Sequence, residues 1–222
     1  MTLDEVIEQR VRELTAYQNA ALADRYRALV TRVRETEVAR VPGRQNLAMA
    51  VARNYFRLLA VKDQYEVARL FTQPAFRDSL TRQFDGDYRL HFHFAPAFLG
   101  GARDGTKPRK RQFGSWLLPI LRLLAACRGL RGTALDPFAH SAERKLERAL
   151  RTEYEQTIAF VLDSLTAATY EAAVEIAQLP ESIRGFGPIK KGAAEAARRR
   201  REELLVRMNK NRHAPAATIA AE

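Results

Sequence analysis

One cysteine, Cys127, stands among 222 residues. A single thiol cannot close a disulfide within the chain, complete a four-cysteine zinc site or hold an iron–sulfur cluster by itself. Such poverty in sulfur fits a reducing compartment, and the expected location is cytoplasmic. A long apolar run is missing too. The most apolar stretch, Trp116 to Cys127, is too short for a bilayer and carries Pro119 and Arg122. It reads as a core helix, and no membrane partner is expected. The opening Met1-Thr2-Leu3-Asp4-Glu5 is acidic, without the apolar centre of a signal peptide, and is not read as one.

The usual catalytic signatures are missing as well. There is no G-x-S-x-G elbow for a serine nucleophile. Gly185-Phe186-Gly187-Pro188 follows no strand, and its glycine spacing fits neither a phosphate loop nor a dinucleotide fingerprint, so it reads as a turn between helices. Cys127 lies in an apolar helical run, where a thiol behaves as a small hydrophobe rather than a nucleophile. No zinc-finger pattern, RNP motif or basic region backed by heptads occurs, and no fixed-period repeat.

What is present describes a folded chain. Apolar residues make up 46% and charged residues 28%, a globular rather than a disordered balance. The length suits one large domain or one domain with appendages. Lys and Arg number 37 against 26 Asp and Glu, and the resulting +11 favours acidic partners.

Thr2-Leu3-Asp4-Glu5 is a capping box, and apolar residues then recur at helical spacing through Leu3, Ile7, Val11, Leu14, Tyr17, Ala21, Leu29 and Val33 until Pro42-Gly43. This predicts one long helix. A second, capped by Asn46, carries Leu47, Val51, Tyr55, Leu58, Tyr65 and Leu70, so residues 3–72 read as a long helical hairpin. A short third helix runs from Pro74 through Phe84 to Gly86. The period then changes to two. Tyr88, Leu90, Phe92 and Phe94 alternate with Arg89, His91 and His93, which predicts a half-buried strand. Arg111-Gln112-Phe113 returns as its partner, giving a β-hairpin over 87–113 with a basic loop. Residues 114–208 read as helical: Trp116 to Ala125, a helix capped by Ser141, one capped by Thr166 and stopped by Pro180, and a last one from about Ile189 to Met208. Residues 209–222 read as a flexible tail. The expected fold is mainly α: long amphipathic helices packed as an irregular bundle, a single domain over 3–208, with one small β-hairpin.

The candidate surface is basic. His91 and His93 lie two apart on a strand and share a face, a spacing at which two imidazoles can share a metal. Arg89 lies on that face and opposes a cation, so no metal ligand is assigned. Lys107, Arg109, Lys110 and Arg111 crowd the loop, where they suit an acidic partner surface. With Arg89, His91 and His93 they form the candidate domain-contact surface. A second basic run, Arg198 to Arg201, lies on a helix beside Glu202 and Glu203; each step turns about 100°, so these arginines cannot share a face. Pairing of Glu195 with Arg199 and of Arg198 with Glu202 is expected.

Several segments in order resemble one family. They are Val51-Ala52-Arg53-Asn54-Tyr55-Phe56-Arg57-Leu58, Lys62-Asp63-Gln64-Tyr65-Glu66-Val67-Ala68-Arg69-Leu70, Tyr88-Arg89-Leu90-His91-Phe92-His93-Phe94-Ala95-Pro96, Lys110-Arg111-Gln112-Phe113-Gly114, Leu130-Arg131-Gly132-Thr133 with Asp136-Pro137-Phe138, and Ile183-Arg184-Gly185-Phe186-Gly187. Together they resemble the C-terminal domain, of undefined function, of the fused bacterial indolepyruvate ferredoxin oxidoreductases, over about Leu3 to Met208. The resemblance implies part of a larger enzyme that oxidatively decarboxylates aryl 2-oxoacids to acyl-CoA and passes electrons to ferredoxin. Thiamine diphosphate and iron–sulfur clusters belong to other domains of that enzyme. The thiamine-binding region and the cysteine-rich motifs are absent here, so no catalytic or cofactor-binding residue is carried over. Where the family's last segment runs Gly-Tyr-Gly-His-Val-Lys, Pro188 replaces the histidine. The expectation is a non-catalytic domain or fragment that docks on, or stabilises, the catalytic domains, with ferredoxin an indirect partner. The alternative is a basic helical module that binds nucleic acid or an acidic protein; nucleic acid is the disfavoured partner.

Overall fold

The computed structural model describes residues 1–86, 88–94 and 111–212. Helices dominate, and the one sheet among the described residues is a two-stranded hairpin, so the fold is mainly α as the periodicities predict. The described chain divides into two compact units, Met1–Ala60 with Ala142–Glu222, and Val61–Ser141. A single domain was expected.

The first unit begins with α1 (Leu3–Tyr17), whose Thr2–Glu5 capping box forms as the sequence predicts. The expected single long helix is broken at Gln18-Asn19. Asn19 is extended, at φ −166° and ψ 174°, and its side chain accepts from the Leu22 amide at 3.0 Å, which starts α2 (Ala20–Arg40). The apolar spacing runs on across this break, which is why it reads as one helix. Arg34 pairs with Asp4 and Arg27 with Glu8, so α2 returns antiparallel along α1.

Helix α3 (Asn46–Leu59) has no side-chain cap of its own. Its first amides are instead met by Glu37 of α2, only 1% exposed, whose two oxygens accept from Leu47 and Ala48 at 2.9 Å each. The buried carboxylate sits where the helix dipole and the unpaired amides favour an anion. Asn46 therefore does not cap the helix as the sequence suggests; its amide donates to the Tyr170 hydroxyl at 3.0 Å, and that hydroxyl donates to Glu37 at 2.6 Å.

α7 (Ala142–Asp163), α8 (Tyr170–Gln178) and α9 (Gly187–Arg212) complete the unit. Thr169, not Thr166, is the residue at the start of α8; the two hydroxyls meet at 3.2 Å, and Thr169 donates to the Ser164 carbonyl. α9 continues four residues past Met208, so 209–212 are helical rather than a tail; 213–222 lie outside the described residues. The core holds a column of near-parallel rings, Tyr26–Tyr55 at 6.1 Å and Tyr55–Tyr154 at 6.0 Å. Tyr26 and Tyr154 donate to backbone carbonyls and Tyr55 to Glu155, so each buried hydroxyl is satisfied.

The second unit holds α4 (Gln64–Thr72), α5 (Pro74–Gln83), strands β1 (Phe92–Phe94) and β2 (Arg111–Phe113), and α6 (Leu117–Ala126), which a 3₁₀ turn extends through Leu130. Chain 60–63 is not helical, so the expected second helix to Leu70 is two helices, the latter capped by Asp63 on the Glu66 amide at 2.7 Å. The core of this unit gathers Ala68, Phe92, Leu117, Leu121 and Ala125.

Candidate docking surface

The second unit is held by a buried polar knot. Asp63 accepts from Arg131 Nε at 2.5 Å and from its Nη2 at 3.0 Å, a forked pair with both side chains under a tenth exposed. Asp136 accepts from the Gly132 amide at 2.8 Å, the Phe138 amide at 3.0 Å and the Tyr65 hydroxyl at 3.1 Å. Gly132 takes φ +74°, a backbone shape that glycine adopts without a Cβ clash. Arg131 lies over the Tyr65 ring, and Phe138 meets that ring edge-on at 5.4 Å. Burial, then the Asp136 contact, pushes the Tyr65 phenol up to about 12. Asp136-Pro137-Phe138 thus forms a turn tied to Tyr65 and to the Gly132 amide, and the Asp63–Arg131 pair adjoins it through the Arg131 contact with the Tyr65 ring.

This knot and the apolar core support two outward faces. The hairpin pairs antiparallel with Phe92 opposite Phe113, His93 opposite Gln112 and Phe94 opposite Arg111. Period two holds over the strand itself, where Phe92 is buried and Phe94 half-buried and His93 is exposed, but the strand is shorter than the alternation predicts: residues 88–91 are not strand, and Tyr88 is exposed like Arg89 and His91. His91 Nδ1 meets Gln112 Nε2 at 2.7 Å, which occupies one imidazole nitrogen with an amide rather than an ion. Among the described residues no three His, Cys, Asp or Glu cluster in a way that could hold a metal. Arg111 is exposed at the edge of β2. Lys107, Arg109 and Lys110 lie outside the described residues.

The other face belongs to α6, and the sequence reading missed it. Leu117, Leu121 and Ala125, four residues apart, are buried on the unit's core. The opposite side is apolar too: Trp116 is 62% exposed, Ile120 52% and Leu123 68%, with Pro119 and Ala126 also outward. In ten residues Arg122 is the one polar side chain. A helix apolar on every side ordinarily has cover on every side. Trp116 stacks edge-on with Phe113 at 6.0 Å, which joins this face to the hairpin. Arg89, Arg111 and Arg122 make no ion pair among the described residues. The signal lay in the sequence as excess: one buried stripe needs about three apolar residues in ten, and this segment has nine.

Residues 3–203 match a family of unknown function, DUF6537. The chain belongs to this family. No curated protein and no solved structure matches it. The match reaches both units and ends within α9. An iron–sulfur cluster does not fit this DUF6537 chain: its single thiol, Cys127, is half-buried in the 3₁₀ turn after α6, and a cluster needs several thiolates. No helix among the described residues is long and apolar enough to cross a membrane.

Proposed function

We propose that this chain is a non-catalytic docking domain of an indolepyruvate-type 2-oxoacid:ferredoxin oxidoreductase, working in the cytoplasm on catalytic domains that carry the thiamine diphosphate and the clusters. The observation that carries the reading is the outward face of α6, where Trp116, Ile120 and Leu123 stand exposed along one side of a single helix. Exposed aromatic and aliphatic side chains grouped in this way mark interaction surfaces, and Trp is the commonest anchor in them. Arg122 and Arg111 add positive charge, so the matching surface is apolar with carboxylates at its edge. A second copy of the chain is the poorer occupant, since it would set +11 against +11.

The ordered resemblance supports the parent enzyme. Its segments supply Asp63, Tyr65, Arg131 and Asp136, the knot that holds the surface-bearing unit. They supply no nucleophile or ligand set, which suits a domain whose task is to be held in place and to hold. The test is reconstitution. The purified chain is expected to show no aryl-pyruvate oxidation with CoA and a ferredoxin-type acceptor. It should bind the cofactor-bearing part of the enzyme and raise its activity or half-life. Turnover by the chain alone, or no association with the rest, would overturn the proposal.

A second reading rests on Arg89 and Arg111, exposed and without ion partners among the described residues: a basic module for nucleic acid or an acidic protein. Phosphate contacts would make affinity fall steeply with log salt. Absence of binding to DNA or RNA at moderate salt removes the nucleic-acid form.

A further inference from the structure

Helix α6 carries two apolar stripes, and they differ in rhythm. The inward one, Leu117, Leu121 and Ala125, keeps a spacing of four and is buried. The outward one runs Trp116, Ile120, Leu123 and then the half-buried Cys127, a spacing of four, three, four. At about 100° per residue these side chains fall within about 60° of one another. That is the heptad rhythm of a seam between two helices. Beside it lies a row with the same spacing, Ser115, Pro119, Arg122 and Ala126, all exposed. Apart from Arg122 its members are short or ring-closed, so another backbone can approach to the distance of packed helices, about 8–10 Å. Arg122 stands in the middle of that row as its single charge, with no ion pair among the described residues.

The seam is short. Cys127 lies eleven residues after Trp116, which is about 16 Å of helix, or three turns. Phe113 meets Trp116 edge-on at 6.0 Å and bounds the seam at its start. Three exposed side chains and one flanking row cover less than the roughly 800 Å² per partner of a stable contact between two globular surfaces. They match the footprint of one amphipathic helix held by anchors at i, i+4 and i+7. Strand addition fits less well, because β1 and β2 offer edges of three residues each.

Resting on the docking reading above, we propose that α6 receives a single amphipathic helix of the partner, its apolar stripe along Trp116, Ile120 and Leu123 and an Asp or Glu in the row that faces Arg122. Trp116 is the anchor. Arg122 sets the register: an exposed cation adds little affinity, but it opposes a basic residue placed against it. A twin of α6 is not this partner, since its ten residues contain no carboxylate to meet Arg122.

Trp116 is the single tryptophan of the chain, so its emission reports directly on cover over the seam. The full chain is titrated with two synthetic helical peptides of about 18 residues, Leu at the a and d positions of both, Glu at e and g in one and Lys in the other. Like charges keep each peptide from pairing with itself. The Glu peptide is expected to give a saturable blue shift of Trp116 emission, and the Lys peptide to bind roughly fivefold or more weakly. Arg122→Glu should remove that preference, whereas Arg199→Glu, an exposed site on α9 with the same change of net charge, should keep it. Leu123→Glu should abolish the shift with circular dichroism unchanged; Ile120→Ser takes its place if L123E loses its fold. The helix fails if the Glu peptide gives no saturable shift, if R122E and R199E act alike, or if a folded L123E still binds. It fails also if the emission of the free chain is already that of a buried indole, or moves with chain concentration, since the chain itself or a second copy then covers the seam. Reconstitution with the cofactor-bearing part separates this from the docking reading. Association that L123E abolishes, without binding of either peptide, overturns the helix and keeps the docking; a saturating Glu peptide without association overturns the parent enzyme and keeps the helix site.

Discussion

At the scale of single residues, Glu37 decides most. It is buried, it caps a helix other than its own, and it holds Tyr170. No local pattern discloses such a role: in the sequence Glu37 is one more acidic residue near the end of a basic helix. Asn46 reads as the cap because caps are normally found within a residue or two of the first helical turn. Here the carboxylate arrives from ten residues upstream. Glu37→Ala leaves two helix amides and a phenol unpaired, and should cost about 3 kcal/mol or more, read as a lower urea midpoint. Glu37→Gln keeps one oxygen and should cost less. Tyr170 adds a pH signature. Burial, then its bond to Glu37, raises its phenol from 10.0 to about 12. The folded state therefore prefers the neutral phenol. The stability this confers is complete below pH 10 and is lost as pH rises through 12. Tyr170→Phe should make that alkaline decline shallower, the other buried tyrosines keeping their share, while costing about 1 kcal/mol at neutral pH; urea melts across the window check it.

At the scale of elements, the hairpin and α6 were legible for opposite reasons. The alternation from Tyr88 to Phe94 pointed to a strand that the structure shortens to Phe92–Phe94, and the returning Arg111-Gln112-Phe113 pairs with it in register. Helix α6 was visible as a helix but mistaken as wholly interior, because composition tells how much apolar surface a helix has and not how much of it the chain can cover. Replacing both Trp116 and Leu123 with Glu should leave circular dichroism and the urea midpoint nearly unchanged, since both side chains are exposed. It should remove association with the proposed catalytic partner, as charges on the anchor positions of an interface do. Loss of folding in this variant would mean that the face is covered within the chain. Helix α9 shows the same limit on local reading. Its arginines were expected to pair along the helix, yet Arg198 and Arg201 reach Glu153 of α7, and Arg200 and Arg207 reach Glu175 of α8. Arg198 holds Glu153, and Arg207 holds Glu175, below the ordinary 4.5. Both carboxylates are more ionised when folded, so their contribution is present above pH 4.5 and lost as pH falls below it. Glu153→Gln should shallow the acid limb of a stability–pH curve without altering the alkaline limb.

At the scale of the molecule, the fold class was readable, and the chain groups into two compact units. Helical periodicity runs through residues 3–60 and 142–212, but the sequence places the second unit between them, so the first unit closes only when distant segments meet: Arg25 with Glu155, Arg44 with Glu171, Tyr170 with Glu37. Such pairings carry no local signal, and an inserted unit looks like one more stretch of the same domain. Two units with separate cores should also loosen separately, because local opening follows cooperative blocks rather than chain order. Leu121→Ala, which opens a hole in the second core, should cost about 2–5 kcal/mol there. Hydrogen exchange at denaturant levels below the midpoint should then speed up in α4 and α6 and stay slow in α3 and α8. Glu37→Ala should give the mirror image. If both substitutions accelerate exchange equally in all four helices, the chain opens as one block and the two-unit description fails as energetics, whatever its geometry. If each acts on its own unit, the proposed docking surface can be disabled by destabilising its support while the first unit stays folded.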